Sequence, residues 1–184
     1  MDEIVTARLR LRRARMSDLP EMHAVLSNPE ATRYWSTLPH ESIEETRAWL
    51  DSMIQSPPEL SDDFVIERVG RVIGKAGFYR VPEIGFILHP DHWGQGLAYE
   101  AVSVLVPRAF DRFDVPVLTA DIDPRNRASQ RLLAKLGFRE VAHAERTYYI
   151  GGAWHDSIYM ELKRPRPDQE SCLSVRDIDR AGGF

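Results

Sequence analysis

The groups able to do chemistry crowd into one central stretch, which reads E-I-G-F-I-L-H-P-D-H-W-G-Q-G-L-A-Y-E from Glu83 to Glu100. A carboxylate at Glu83 can take a proton, and His89 and His92 are potential metal ligands. Gly94 and Gly96 lead into the helical pattern of Ala101, Val102, Leu105 and Val106. A strand that passes through glycines into a helix points unpaired backbone N–H groups and the positive end of the helix dipole at one spot. That arrangement binds phosphate without a basic side chain, so residues 94–99 are expected to hold a phosphate-bearing cofactor. A plain turn before a helix accounts for the glycine spacing equally well. A dinucleotide-binding G-x-G-x-x-G needs glycine where Tyr99 stands, and no Gly-Lys-Ser/Thr follows to make a P-loop. Pro90 forbids a helix carrying both histidines and no third ligand is apparent, so no metal is expected. His155-Asp156 lacks the serine of a G-x-S-x-G elbow.

The elements needed to position these groups can be read in order. Leu9 and Leu11 alternate with arginines at 8, 10 and 12, the period of a strand with one buried face, and the arginines at 8, 10, 12, 13 and 15 read as a solvated face. Ser17-Asp18-Leu19-Pro20-Glu21 opens a helix that Asn28-Pro29 ends, and Ser42-Ile43-Glu44-Glu45 is a capping box starting a second helix to about Gln55. Between them, Tyr34 and Trp35 sit in an aromatic loop. Val69-Gly70-Arg71 turns a hairpin between strands at 64–67 and 72–78. The central stretch then gives a strand and a helix to about Phe113, with Pro107 expected to kink or split it. Strands at 117–122, 139–150 and 154–162, with a helix at 126–136 ending at Gly137, complete the pattern. Helices at the start, in the middle and before the last strand pair imply an α+β class with a mixed sheet.

At 184 residues the chain is expected to be one domain that buries about two-thirds of its unfolded surface. Its formal net charge of -4 gives no pull toward nucleic acid or an anionic membrane, and no run reaches the length of a membrane span. The single cysteine, Cys172, cannot form an internal disulfide, which points to a reducing cytoplasm. Residues 163–184 read as a polar C-terminal tail, with Ile178 and Phe184 expected to dock on the body or on a second subunit.

Three ordered segments carry a family likeness: N-P-E-A-T-R-Y-W (28–35), H-W-G-Q-G-L-A-Y-E-A (92–101) and N-R-A-S-Q-R-L-L-A-K-L-G-F (126–138). They resemble the GNAT superfamily of acetyl-CoA-dependent N-acetyltransferases, and within it the ribosomal-protein N-terminal serine and alanine acetyltransferases. The likeness covers roughly residues 4–162. It implies a twisted sheet of about seven strands flanked by about four helices, splayed between the fourth strand (83–89) and the fifth (117–122), with acetyl-CoA in that cleft. The pyrophosphate would sit on the amides of Gln95, Gly96, Leu97 and Ala98, and the pantetheine arm beside Phe86, Ile87 and Leu88. A main-chain amide there would face the thioester oxygen. Asn126, which fits the cap of its helix, would also face the cofactor. Trp93 stands where the family usually has Gln or Arg, as is familiar in this branch.

Transfer to an amine needs a neutral nucleophile, whereas an α-amine titrates near pH 8 and a lysine near 10.4. Glu83 holds the position where the family often carries its base, acting directly or through water; a carboxylate capping a strand edge is the plain alternative. The tyrosine that often protonates the leaving thiolate is absent, its stretch being Leu132-Leu133-Ala134. Ser129 is the first substitute, with Tyr148 or Tyr149 behind it. Tyr34, Trp35 and Tyr149 are candidates for the acceptor pocket. Cys172 is poorly placed for an acyl-cysteine route, which favours direct transfer in a ternary complex. The acceptor would be a primary amine: a protein N-terminus, an amino sugar or antibiotic, a polyamine or an amino acid. A homodimer is plausible. The competing readings are a non-catalytic acyl-CoA sensor and a nucleotide-dependent oxidoreductase.

Overall fold

The computed structural model describes residues 3–165, so Cys172, Ile178 and Phe184 lie outside the described residues. Two short strands, β1 (Glu3–Val5) and β2 (Arg10–Arg12), pair antiparallel, and β2 pairs in turn with β3 (Asp62–Arg68). The hairpin of β3 and β4 (Arg71–Arg80) turns at Val69-Gly70, and β4 pairs antiparallel with β5 (Glu83–Leu88). Beyond β5 come β6 (Val117–Ile122) and the long hairpin of β7 (Arg139–Ile150) and β8 (Ala153–Lys163), giving the order β1-β2-β3-β4-β5-β6-β8-β7. The eighth strand, absent from the sequence reading, is β1: three residues leave no room for alternation to show. The expected cleft therefore lies between the fifth and sixth strands of the fold, the same two segments.

The sheet is covered on both faces, which is why its central strands are apolar without alternation. On one face α3 (Leu97–Arg112) and α4 (Arg127–Lys135) bury Leu97, Val102, Leu105 and Leu133 against Phe64, Phe78 and Leu118. On the other, α1 (Leu19–Leu26) and α2 (Ile43–Ile54) bury Met22, Leu26 and Leu50 against Val65, Val72 and Ile87. Two capping signals form side-chain bonds: Ser42 Oγ accepts from Glu45 N at 3.2 Å, and Asn126 Oδ1 accepts from Ser129 N at 3.1 Å. The box at Ser42 is not closed, because the Glu45 carboxylate accepts from Glu41 N at 2.9 Å, and Asp18 makes no side-chain cap bond to α1. Pro107 stands inside α3, but the helix runs through it from Leu97 to Arg112. Packing of Val102, Leu105, Val106, Ala109 and Phe110 on both sides of the proline outweighs the one backbone bond it removes.

The arginine face is not simply solvated. Arg12 is only 8% exposed; it donates to both carboxylate oxygens of Asp18 at 2.8 Å and to Glu67 at 2.8 Å, while Arg13 reaches Asp62 at 2.6 Å. Glu67 and Asp62 are contributed by β3, more than forty residues away in the chain, so local periodicity could not reveal them.

One feature of the sheet positions the site. Whereas β6 and β8 pair through six successive positions, the parallel pair β5–β6 meets at Glu83 and Thr119, where Thr119 N donates to Pro82 O at 3.0 Å. Past that point the two strands part. The freed edge of β5, residues 84–88, faces a cleft instead of a ladder. Its other edge stays tightly joined to β4, where a Cβ on Gly74 would lie 2.1 Å from the carbonyl oxygen of Ile87. Only glycine allows that approach.

Candidate active site

Where β5 and β6 separate, a cavity of about 1300 Å³ opens through the sheet, larger than an ordinary small-ligand pocket of roughly 300–1,000 Å³. Phe86, Ile87 and Leu88 form one wall, and Asn126 and Ser129 at the start of α4 form the other. Gly96, Leu97 and Ala98 close one end; Glu83, Tyr148, Tyr34 and Trp35 stand toward the other. These twelve expected site residues thus share one cavity, although they come from five separate stretches of chain.

The glycine-loop end is built for an anion. Gly94 and Gly96 have φ of 71° and 73°, a left-handed conformation that side chains disfavour, and Gly96 is the N-cap of the sixteen-residue α3. The first intrahelical bond is Glu100 N to Gly96 O at 3.0 Å, which leaves the amides of Leu97, Ala98 and Tyr99 at the positive end of the helix. A Cβ on Gly94 would meet nothing within 4 Å, so the backbone there is open to close approach. Arg131 and Lys135, both on α4, line the same cavity and add positive charge.

The loop is braced from outside. Arg8 donates to Gln95 O at 2.8 Å and to Glu100 Oε2 at 2.6 Å, and Thr6 Oγ1 donates to Glu100 Oε1 at 2.6 Å. Burial raises the Glu100 carboxyl, but the hydrogen bonds from Thr6 and Arg8 outweigh it and hold the group below its usual range. Gln95 turns its side chain to Arg68 and to Asp91 O, at 2.7 and 3.1 Å, and does not line the cavity. Trp93 donates from Nε1 to Leu88 O at 3.0 Å, tying the loop to the end of β5. Among the described residues no group of three or more His, Cys, Asp or Glu is placed to hold a metal.

The other end is acidic. Glu83 is raised first by burial and then by the charge of Asp121; Asp121 is itself raised by burial, opposed by a hydrogen bond from Ser157. Both side chains are open to the cavity yet walled by protein, so water reaches them without solvating them as bulk would. Asp123 is buried, and although burial raises it, hydrogen bonds from Arg125 bring it below its usual range. Arg125 also meets His155 Nδ1 at 2.7 Å and stacks 5.7 Å from the Tyr34 ring, while Tyr148 stacks on His155 at 5.1 Å. The Tyr148 phenol is raised by burial and then by Asp123 and Asp121. Lys75 and Asp63, 2.9 Å apart, form a buried ion pair on the cavity wall beside Trp35.

Tyr149 does not line the cavity; it is 61% exposed and packs edge-on to Trp154. Alternation along β7 explains this, since Tyr148 and Tyr149 must point to opposite faces. Sequence reasoning missed Asp121, Asp123, Arg125, Arg131 and Lys135. The first of these carried a readable signal: it is a charged residue inside an otherwise apolar strand, L-T-A-D-I, which needs a cleft or a partner.

A sequence model described as an acetyltransferase (GNAT) domain matches residues 8–139. An uncharacterized N-acetyltransferase of Bacillus subtilis, YoaA, is 33% identical over 174 residues, covering 88% of this chain and 96% of its own. The crystal structure of the Salmonella typhimurium acetyl transferase that modifies the N-terminal serine of ribosomal protein L7/L12 superposes with a TM-score of 0.78 at 22% identity, over 88% of this chain and 98% of that one. The Vibrio cholerae spermidine N-acetyltransferase, in complex with CoA and spermine, gives 0.74 at 22% identity, over 86% and 96%.

Proposed function

From the premise that the chain belongs to the GNAT acetyltransferase family and is an N-acetyltransferase, we propose that it moves an acetyl group from acetyl-CoA directly to a primary amine. The observation that carries this reading is the single cavity at the parting of β5 and β6, with open helix-end amides at one end and the Glu83 carboxylate, open to the cavity, at the other. Acetyl-CoA supplies the acetyl group as an activated thioester. The amides from Gly96 to Ala98, with Arg131 and Lys135, fit its phosphates; Phe86 to Leu88 offer a free strand edge to its arm. Asn126 fixes the start of α4 and so places Ser129 on the same wall.

Glu83 takes a proton from the incoming ammonium, directly or through water. Its raised pKa brings the carboxylate closer to that of the amine, the condition for an effective general base. The amine nitrogen then forms the C–N bond, the C–S bond breaks, and the second nitrogen proton leaves with the thiol. Overall, ammonium and thioester give amide, thiol and one released proton. Ser129 is assigned to hydrogen-bond the departing sulfur, because it stands on the cavity wall at the start of α4, whereas Tyr148 stacks on His155 beside Arg125 and Asp123. Tyr34, Trp35 and Tyr148 wall the acceptor end.

Relatives of this fold act on a ribosomal protein's N-terminal serine or bind spermine, so the panel of acceptors must include peptides and polyamines. Thiol release from acetyl-CoA, followed across that panel with both substrates varied, tests the reading. Amine-dependent release with intersecting initial-rate lines is expected. Acetyl-CoA binding with no release on any amine would leave only a sensor.

A further inference from the structure

Thr119 lies opposite Glu83 in the parallel pair, so Asp121, two residues further along β6, comes out on the same face of the sheet and beside the same cavity. Leu118, Ala120 and Ile122 point the other way, into the core. Next to Asp121 lies Ser157, a fully buried residue whose hydroxyl meets Thr147 Oγ1 at 2.7 Å and favours the charged form of Asp121. No ion pair reaches either Glu83 or Asp121 among the described residues, whereas of the other acids lining the cavity Asp63 has Lys75 and Asp123 has Arg125. Two carboxylates thus face one space with their counter-charge missing.

We propose that Asp121 holds the acceptor as an ammonium beside Glu83, so that the site selects primary amines that arrive positively charged. The assignment rests on the transfer reading above and adds to it a second residue and a substrate class. The two acids differ in what surrounds them. Burial raises both groups; at Asp121 a hydrogen bond from Ser157 opposes that rise, whereas at Glu83 the neighbouring Asp121 charge adds to it. In this division Asp121 grips one N–H, while Glu83, the more strongly opposed as an anion, receives the proton from another and leaves the nitrogen lone pair free.

The other charged groups on the cavity do not supply that counter-charge. Arg80 of β4 pairs in register with Glu83 but makes no ion pair with it; Glu30 lines the cavity from the segment after α1 and is itself an acid; Lys75 is bound to Asp63. Tyr148 faces from β7, and His92, Arg131 and Lys135 line the cofactor end.

The test compares binding of benzylamine, a cation at neutral pH, with that of aniline, a neutral amine of similar size. Each is titrated calorimetrically into the full chain loaded with CoA, as wild type, Asp121→Asn and Asp121→Glu. The wild type should prefer benzylamine. Asp121→Asn should weaken benzylamine by roughly 10- to 100-fold, the scale for losing a hydrogen bond to a charged group, and leave aniline within about twofold. Asp121→Glu should recover part of the loss. In turnover, the acid limb of kcat/KM should move to lower pH in Asp121→Asn, because a like charge next to Glu83 is gone. Equal loss for both amines, no loss for either, or a wild type that prefers neither would overturn the assignment. A wild type that prefers benzylamine but never releases thiol would instead sink the transfer reading and leave the role of Asp121 standing.

Discussion

Ser129 sits in the first turn of α4 because Asn126 caps that turn, accepting from its backbone amide at 3.1 Å, and the same geometry sets it on the cavity wall. If its hydroxyl steadies the leaving sulfur, Ser129→Ala should lower kcat about tenfold, within the range for one hydrogen bond to a charged group, with little change in either KM. Tyr148→Phe should act mainly on the amine KM, since its phenol belongs to the Asp123–Arg125–His155 cluster at the acceptor end. Steady-state kinetics on both variants separates the two roles. At this scale the residues legible from sequence were those in motifs with fixed spacing: the glycines, Asn126 and Glu83. Asp121, Asp123 and Arg125 were not, because what gives them meaning is their placement across β6, β7 and β8, which local spacing does not encode.

At the scale of elements, the glycine loop and the start of α3 are held from the far side of the sheet. Arg8 bridges Gln95 O and Glu100, so a residue of the β1–β2 connection fixes a turn nearly ninety positions away. Arg8→Ala should raise the KM for acetyl-CoA several-fold while leaving the amine KM close to wild type, a difference that initial rates with each substrate varied will show. Arg8 is partly exposed, so the cost in stability should be small. Helices and strands were largely readable from period and caps, because amphipathic runs such as 43–54 and 97–112 state their own class. Pro107 misled in the expected way: a local rule against proline yields where apolar residues on both sides of it are buried. The strand β1 escaped because pairing with β2, not its own pattern, defines it.

For the whole molecule, the parting of β5 and β6 requires the rest of the sheet to stay rigid around an open seam. Arg12 contributes to this by joining β2, β3 and the start of α1 through Glu67 and Asp18, all largely buried. Removing one partner leaves a buried guanidinium short of its counter-charge, so Asp18→Ala should cost roughly 3 kcal/mol, by analogy with other broken buried pairs. Urea unfolding should show a lower midpoint with an unchanged slope. Such a network is invisible in the sequence, where R-L-R-R-A-R reads as a charged strip. The α+β class was legible from the order of strands and helices, while the position of the seam came only from the family resemblance, because no local pattern says where two strands part.

The claim that Glu83 is the base at that seam is tested most directly by the pH dependence of kcat/KM in Glu83→Gln against wild type. The wild-type carboxylate is active only when ionised, and its pKa is raised, so wild-type activity should fall as pH drops through that raised value; the variant should lack this limb. At neutral pH the variant should be slower by about 100-fold, within the usual contribution of a general base. The gap should narrow as pH rises toward the amine's own pKa and solvent removes the proton instead. A variant matching wild type at every pH, or slower by one constant factor throughout, would contradict Glu83 as the base.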